Sequence, residues 1–283
     1  MPELPEVETV CRGLAKKLAG HKIKSVALHR GGLRVPFPPA LGKLANVKVK
    51  SVSRRAKYVL VNLADGRTLI LHLGMSGRIL IFGKRDIYEP SKHDHLVLTC
   101  DDGTRAVMND PRRFGLATLA KTEGLENHRL FRALGPEPLG NGFTAAYLAE
   151  KLAGKKAAIK LVVMDQRVVV GVGNIYASEA LFAARIDPRA AAGSLKPAAV
   201  KRLVAEVKAV LKRAIAAGGS SLRDYVQTDG ELGYFQHRFA VYGREGQKCK
   251  GCACDIEKTG GIKRITQGGR STFYCPVRQA GLG

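Results

Sequence analysis

The run Met1-Pro2-Glu3-Leu4-Pro5-Glu6 puts a secondary amine and two carboxylates at the start of the chain. A small second residue permits removal of Met1, which exposes the Pro2 nitrogen. An α-amine ionises near pH ~8, well below a lysine side chain, so part of it is unprotonated at neutral pH. Such an amine can attack an electrophilic sugar carbon and form an iminium, the Schiff-base form of covalent catalysis. Glu3 is placed to give or take the proton that this step moves. Glu6, one helical turn on, can orient either group. The same residues also suit the first turn of a helix for capping reasons alone.

Other segments carry groups suited to phosphate or bases. Lys57, in Arg54-Arg-Ala-Lys-Tyr58, stands at a strand start where it can hold a phosphate or polarise a substrate oxygen. His72-Leu-Gly-Met-Ser-Gly77 is a glycine-bracketed turn that exposes Met75, an apolar tip able to wedge into a base stack. Asn109-Asp-Pro-Arg-Arg-Phe-Gly115 combines two cations with an aromatic ring, a set suited to filling a vacated base position. Gly171-Val-Gly173-Asn174 precedes a helical pattern, so its backbone N–H groups sit at a positive dipole end that favours phosphate. Lys155, Lys156 and Lys160 lie just upstream and add charge. In Gly268-Gly-Arg270 one arginine sits at a glycine turn, where it can clamp phosphate bidentately. Taken singly, each segment also reads as a strand edge, a core residue or a surface turn.

Four of the six cysteines, Cys249, Cys252, Cys254 and Cys275, crowd into the end of the chain, whereas Cys11 and Cys100 stand alone. In a large intracellular chain this crowding reads as a metal site more than a disulfide scaffold. Cys249-x2-Cys252 is half of a zinc knuckle. The matching half presents Arg278 where a second cysteine is expected. Cys254 can complete a four-sulfur site; His237 or water is the alternative, and a module without metal is the third.

The 283 residues carry 47 Lys and Arg against 24 Asp and Glu, a net charge of +23. Such an excess implies a polyanionic partner, nucleic acid first and an anionic membrane second. An apolar content of 45% excludes wholesale disorder. No apolar run approaches the ~20 residues of a membrane span and no signal-peptide pattern opens the chain, so a cytoplasmic protein is expected. With no tryptophan, base stacking falls to tyrosine, phenylalanine or arginine.

The elements that must position these groups follow from periodicity. Val7, Val10, Leu14 and Leu18 recur at helical spacing, and Gly20 can end that helix. Strands follow: Val47–Val52 alternates, Lys57–Leu63 and Thr68–Leu73 flank the turn signal Asp65-Gly66, and Leu96–Thr99 and Arg105–Met108 flank Asp102-Gly103. Thr144 can cap a helix through Leu152. Asn174–Ala184 reads as helix, and the stripe from Val200 to Ile215 predicts a long one. The expected fold is α+β and multidomain: a β-sandwich or barrel over residues 1–138 with flanking helices, a helical domain over 139–235, and a β-hairpin module over 236–283 that needs a metal to hold it.

Seven motifs, in order, resemble one family. Met1-Pro-Glu-Leu-Pro-Glu-Val-Glu-Thr9, Arg54-Arg-Ala-Lys-Tyr58, His72-Leu-Gly-Met-Ser-Gly77, Asp110-Pro-Arg-Arg-Phe-Gly115, Leu134-Gly-Pro-Glu-Pro-Leu139, Val170-Gly-Val-Gly-Asn-Ile-Tyr-Ala177 and Gly269-Arg-Ser-Thr-Phe-Tyr-Cys275 look like formamidopyrimidine-DNA glycosylase. The resemblance narrows the first domain to a β-sandwich and implies a helix–two-turn–helix DNA-binding domain, a zinc β-hairpin, and a monomer acting on duplex DNA. It implies removal of oxidised purines such as 8-oxoguanine and formamidopyrimidines, preferably opposite cytosine, followed by β- and δ-elimination at the abasic site. Carried over residue by residue, Pro2, Glu3, Lys57 and Arg270 are catalytic and Glu6 lies in the base pocket. Met75, Arg112 and Phe114 fill the void, His72, Lys160 and Asn174 bind DNA, and the loop around 219–230 covers the damaged base. Zinc is implied on Cys249, Cys252 and Cys275, with Cys254 as fourth ligand because Arg278 replaces the family's last cysteine. Two rivals stand beside this reading: the sister family typified by endonuclease VIII, disfavoured by Leu4 and Arg112–Phe114, and a catalytically silent DNA-binding relative.

Overall fold

Val7, Val10, Leu14 and Leu18 share the buried face of α1 (Leu4–Leu18), which carries Pro5 in its first turn and ends before Gly20. The computed structural model of the chain describes residues 2–220, 235–251 and 254–280. Met1, Cys252 and most of the expected 219–230 loop lie outside the described residues.

Eight strands follow α1: β1 (Ile23–Leu28), β2 (Val49–Arg55), β3 (Tyr58–Leu63), β4 (Arg67–His72), β5 (Arg78–Phe82), β6 (Asp94–Cys100), β7 (Arg105–Asn109) and β8 (Leu116–Lys121). They form two antiparallel sheets, in the orders β1-β6-β7-β5 and β2-β3-β4-β8. The Asp65-Gly66 and Asp102-Gly103 turns join β3 to β4 and β6 to β7, with both glycines at positive φ, as hairpin turns of this kind require. One apolar core takes residues from α1 and from both sheets. Each fully buried aliphatic side chain there contributes about 2 kcal/mol relative to exposure. Among the described strands, β1, β5 and β8 were absent from the sequence expectation.

The helical part comprises α2 (Ala145–Leu152), α3 (Ile159–Met164), α4 (Asn174–Ala183) and α5 (Pro197–Ala216). The Thr144 hydroxyl caps α2 by accepting the Tyr147 N–H at 3.1 Å. A short α6 (Ile256–Thr259) precedes the hairpin β9 (Lys263–Gln267) and β10 (Arg270–Tyr274), whose tip, Gly268-Gly269, has both φ angles positive.

The chain divides into two compact units. One comprises Met1–Arg132 with Ile215–Gln236, and the other Ala133–Ala214 with His237–Gly283. Helices α2 to α4 and the terminal hairpin therefore share a unit. Among the described residues no helix is long and apolar enough to cross a membrane.

Candidate functional site

In the first unit, Pro2, Glu3 and Glu6 are all buried at the start of α1. Glu6 reaches back to accept the Glu3 backbone N–H at 2.9 Å, one half of a capping box. Its other oxygen accepts both the N–H and the hydroxyl of Ser220, at 2.8 and 2.9 Å. Gly219 lies so close that a Cβ there would come 3.1 Å from the same carboxylate. The Glu6 carboxylate thus ties the peptide that joins Pro2 to Glu3 to the segment at Ser220. The next turn of α1 is tied to the β2–β3 hairpin. Glu8 accepts from Arg54 and from Arg12, both at 2.9 Å. Burial pushes the Glu8 carboxyl up, but the hydrogen bonds and charges of Arg54 and Arg12 more than offset that and hold it below its ordinary value. Arg54 is therefore engaged inside the fold.

Lys57 follows Ala56, which has a φ of 53° in the left-handed region. Arg54 stabilises that turn by donating to the Ala56 carbonyl at 2.9 Å. Lys57 is buried and lies near His72. Burial, then the positive charges of Arg34 and Lys57, push the His72 imidazole down to about 4. It is therefore neutral at physiological pH, with Nδ1 accepting the Gly74 N–H at 3.0 Å and the ring 4.8 Å from that of Tyr58. Its observed contacts support the turn that follows it.

That turn and the loop after β7 carry exposed apolar tips. Met75 and Phe114 are 41% and 43% exposed, unusual for side chains of this size, and Arg112 lays its guanidinium 4.9 Å from the Phe114 ring centre. The three residues expected to fill a base-sized void are thus on neighbouring loops of one unit.

In the second unit, Gln166 shapes the loop before α4. Its oxygen accepts the Gly171 N–H at 2.7 Å and its amide donates to the Val172 carbonyl at 3.0 Å. Asn174 opens α4. Its amide donates to the Ser271 carbonyl at 2.9 Å, and its oxygen accepts from Lys160 at 2.5 Å. Lys160 also donates to the Thr272 hydroxyl at 2.6 Å and to the Ser271 carbonyl at 3.3 Å. Expected among DNA-binding residues, Lys160 is instead fully buried, with no surface from which to reach a phosphate. A buried ammonium must have partners, and this one joins α3, α4 and β10, whose first residue is the exposed Arg270. Lys160→Met leaves the Asn174 oxygen and the Thr272 hydroxyl short of a donor. It is expected to lower the unfolding free energy by about 2 kcal/mol. A urea melt with an unchanged midpoint would contradict this linkage.

Cys249, Cys254 and Cys275 are buried, and their sulfurs all lie within 4.8 Å of one another. The Cys249–Cys254 and Cys254–Cys275 separations are 3.4 and 3.9 Å. Tetrahedral zinc with Zn–S bonds of ~2.3 Å needs sulfurs about 3.8 Å apart, so the three thiols fit such an ion. His237 is exposed and stands outside this cluster. Arg278 points away from ligation: its guanidinium donates to the Gly251 carbonyl and stacks 5.0 Å from the Phe182 ring centre, while its backbone N–H donates to the Cys275 sulfur at 3.3 Å.

Family models for the formamidopyrimidine-DNA glycosylase N-terminal domain and H2TH domain match residues 1–117 and 134–226. A formamidopyrimidine-DNA glycosylase of Rhodospirillum rubrum is 53% identical over 280 residues, covering 99% of this chain and 100% of that protein. Two solved structures of the Lactococcus lactis protein, the wild type with DNA containing N7-benzyl-Fapy-dG and a complex with DNA containing an abasic site, each superpose with a TM-score of 0.88 at 34% identity, covering 99% of this chain and 100% of theirs.

Proposed function

The chain belongs to the formamidopyrimidine-DNA glycosylase family, and from that membership we propose that it excises oxidised purines from duplex DNA through the Pro2 nitrogen and then cuts the strand. The observation that carries this reading is the buried start of α1, where Glu6 fixes the backbone of Glu3 directly after Pro2.

The damaged nucleotide leaves the stack, because its C1′ is out of reach inside a duplex. Met75, Arg112 and Phe114 enter the gap, with Arg112 facing the orphaned base, which is preferably cytosine. The Pro2 nitrogen attacks C1′, the bond from C1′ to the base breaks, and its electron pair leaves with the base. Glu3 delivers the proton that opens the sugar ring at its oxygen. The resulting iminium acidifies C2′, so loss of that proton expels the 3′ phosphate, and a second elimination expels the 5′ phosphate. Water then releases the sugar remnant from Pro2. Lys57 assists at the lesion and its phosphate, and Glu6 borders the base pocket. Asn174 and Arg270 hold the flanking phosphates, with Lys160 acting through Asn174. A chain of +23 charge holds undamaged DNA by displacing counterions from phosphates. We read one chain as sufficient for one lesion, and the domains as 1–138, 139–235 and 236–283.

Zinc is the metal we assign to Cys249, Cys254 and Cys275, with Cys252 as the fourth thiolate. It supplies structure and takes no part in the reaction. Elemental analysis is expected to find about one zinc per chain, and Cys254→Ser to release it to a chelator at least tenfold faster than wild type. Wild-type retention in that variant would remove Cys254 from the ligand set.

Excision of 8-oxoguanine opposite cytosine, compared with thymine glycol in a matched duplex and followed by borohydride trapping, tests the function. A purine preference with a trapped adduct is expected. A pyrimidine preference would favour endonuclease VIII-type specificity. A DNA complex without any adduct would make the chain a silent binder.

A further inference from the structure

We propose that Ser76 and Asp110 are positioning residues that lock the two void-filling loops into one wedge, and so set how well the enzyme discriminates the base opposite the lesion. The inference rests on the reading of Met75, Arg112 and Phe114 given above, and concerns residues that touch no DNA in it.

Asp110 is fully buried. An interior carboxylate is costly unless hydrogen bonds replace its water. Here one oxygen accepts the Ser76 hydroxyl at 2.7 Å and the other the Gly115 N–H at 2.7 Å. The Ser76 oxygen in turn accepts the Arg112 N–H at 3.2 Å. One carboxylate and one hydroxyl therefore bind the 73–77 turn to both ends of the 112–115 segment. The backbones meet as well. A Cβ at Gly74 would come 2.4 Å from the Phe114 carbonyl carbon, and one at Gly115 would come 3.0 Å from the His72 carbonyl oxygen. Asp110 is itself held by its N–H to the His93 carbonyl and by its carbonyl to His95 Nε2, both at 2.9 Å.

The lock also sustains a strained link. Arg113 has a φ of 59°, a conformation that a non-glycine residue keeps only where its surroundings enforce it. With Arg112 hung by its own N–H from Ser76, its guanidinium has a fixed origin relative to Met75. Two separate loops would each have to be ordered when DNA binds; joined, they enter the stack as one preorganised body. A carboxylate suits the junction because it offers two acceptors, one for each loop.

Ser76→Ala, Ser76→Thr and Asp110→Asn separate this from a merely structural role. The readout is the ratio of kcat/KM for 8-oxoguanine opposite cytosine to that opposite adenine, which reduced stability alone does not move. Ser76→Ala and Asp110→Asn are expected to narrow the ratio roughly tenfold, the scale of one well-oriented base contact, and Ser76→Thr, which keeps the hydroxyl, to restore most of it. Arg112→Ala serves as reference. If Arg112→Ala narrows the ratio and folded Ser76→Ala does not, the lock is wrong. If Arg112→Ala leaves the ratio intact, the reading of the loops fails instead. Should Asp110→Asn not fold, Ser76→Ala decides alone.

Discussion

Retaining a single residue ahead of Pro2 is expected to reduce base excision and borohydride trapping on 8-oxoguanine DNA by on the order of 10³-fold or more, to background. The extension turns the secondary amine into an amide, which has no available electron pair, and no rearrangement of neighbouring groups restores it. DNA binding, which depends on the positive charge of the rest of the chain, is expected to persist within a few-fold. Pro2→Gly is the informative companion. It keeps a terminal amine ionising near pH ~8, so an adduct should still be trapped, at reduced rate. An extended protein that cuts at the wild-type rate would show that the attacking atom lies elsewhere.

Glu3→Gln is expected to lower excision of the intact lesion by roughly 10²–10⁴-fold, the span of a positioned general acid. The effect should be much smaller on DNA that already holds an abasic site, because there the base has departed and the sugar opens spontaneously. Glutamine can still serve at the head of α1, so stability should change by less than about 1 kcal/mol. Parallel assays on the two substrates check this. Equal losses on both would move Glu3 from proton delivery to the elimination steps or to the fold.

Much of the scaffold was legible in the sequence. The α1 and α5 stripes, the two Asp-Gly hairpins and the Thr144 cap each rest on a local rule that tertiary contacts reinforced. Strand β5 escaped because Arg-Ile-Leu-Ile-Phe carries no alternation and is fixed by long-range pairing with β7 and by packing of Ile79 into the core. The site divides in the same way. Pro2 and Glu3 could be named because their chemistry is local to the first residues. The clasp of Glu6 on Ser220 spans 214 residues, and no local pattern announces it. Lys160 misled for a physical reason: a lysine beside a Gly-x-Gly turn reads as a phosphate ligand, since lysines are almost never buried unless paired. Its partner Thr272 lies 112 residues away. Ser76 and Asp110 lie inside two of the family motifs, yet nothing local gave either a role, because each is ordinary in its own loop and acquires meaning only through the other. The cysteines were readable as a cluster, and burial of Cys254 beside Cys249 and Cys275 is what the spacing alone left open.

The central claim is that the first nitrogen of the mature chain becomes bonded to the sugar of the lesion. Peptide-level mass spectrometry of the borohydride-reduced adduct reads this directly. The reduced sugar remnant should lie on the nitrogen of Pro2, in protein that has lost Met1. A remnant on the Lys57 side chain, or a fully active enzyme that still carries Met1, would contradict it.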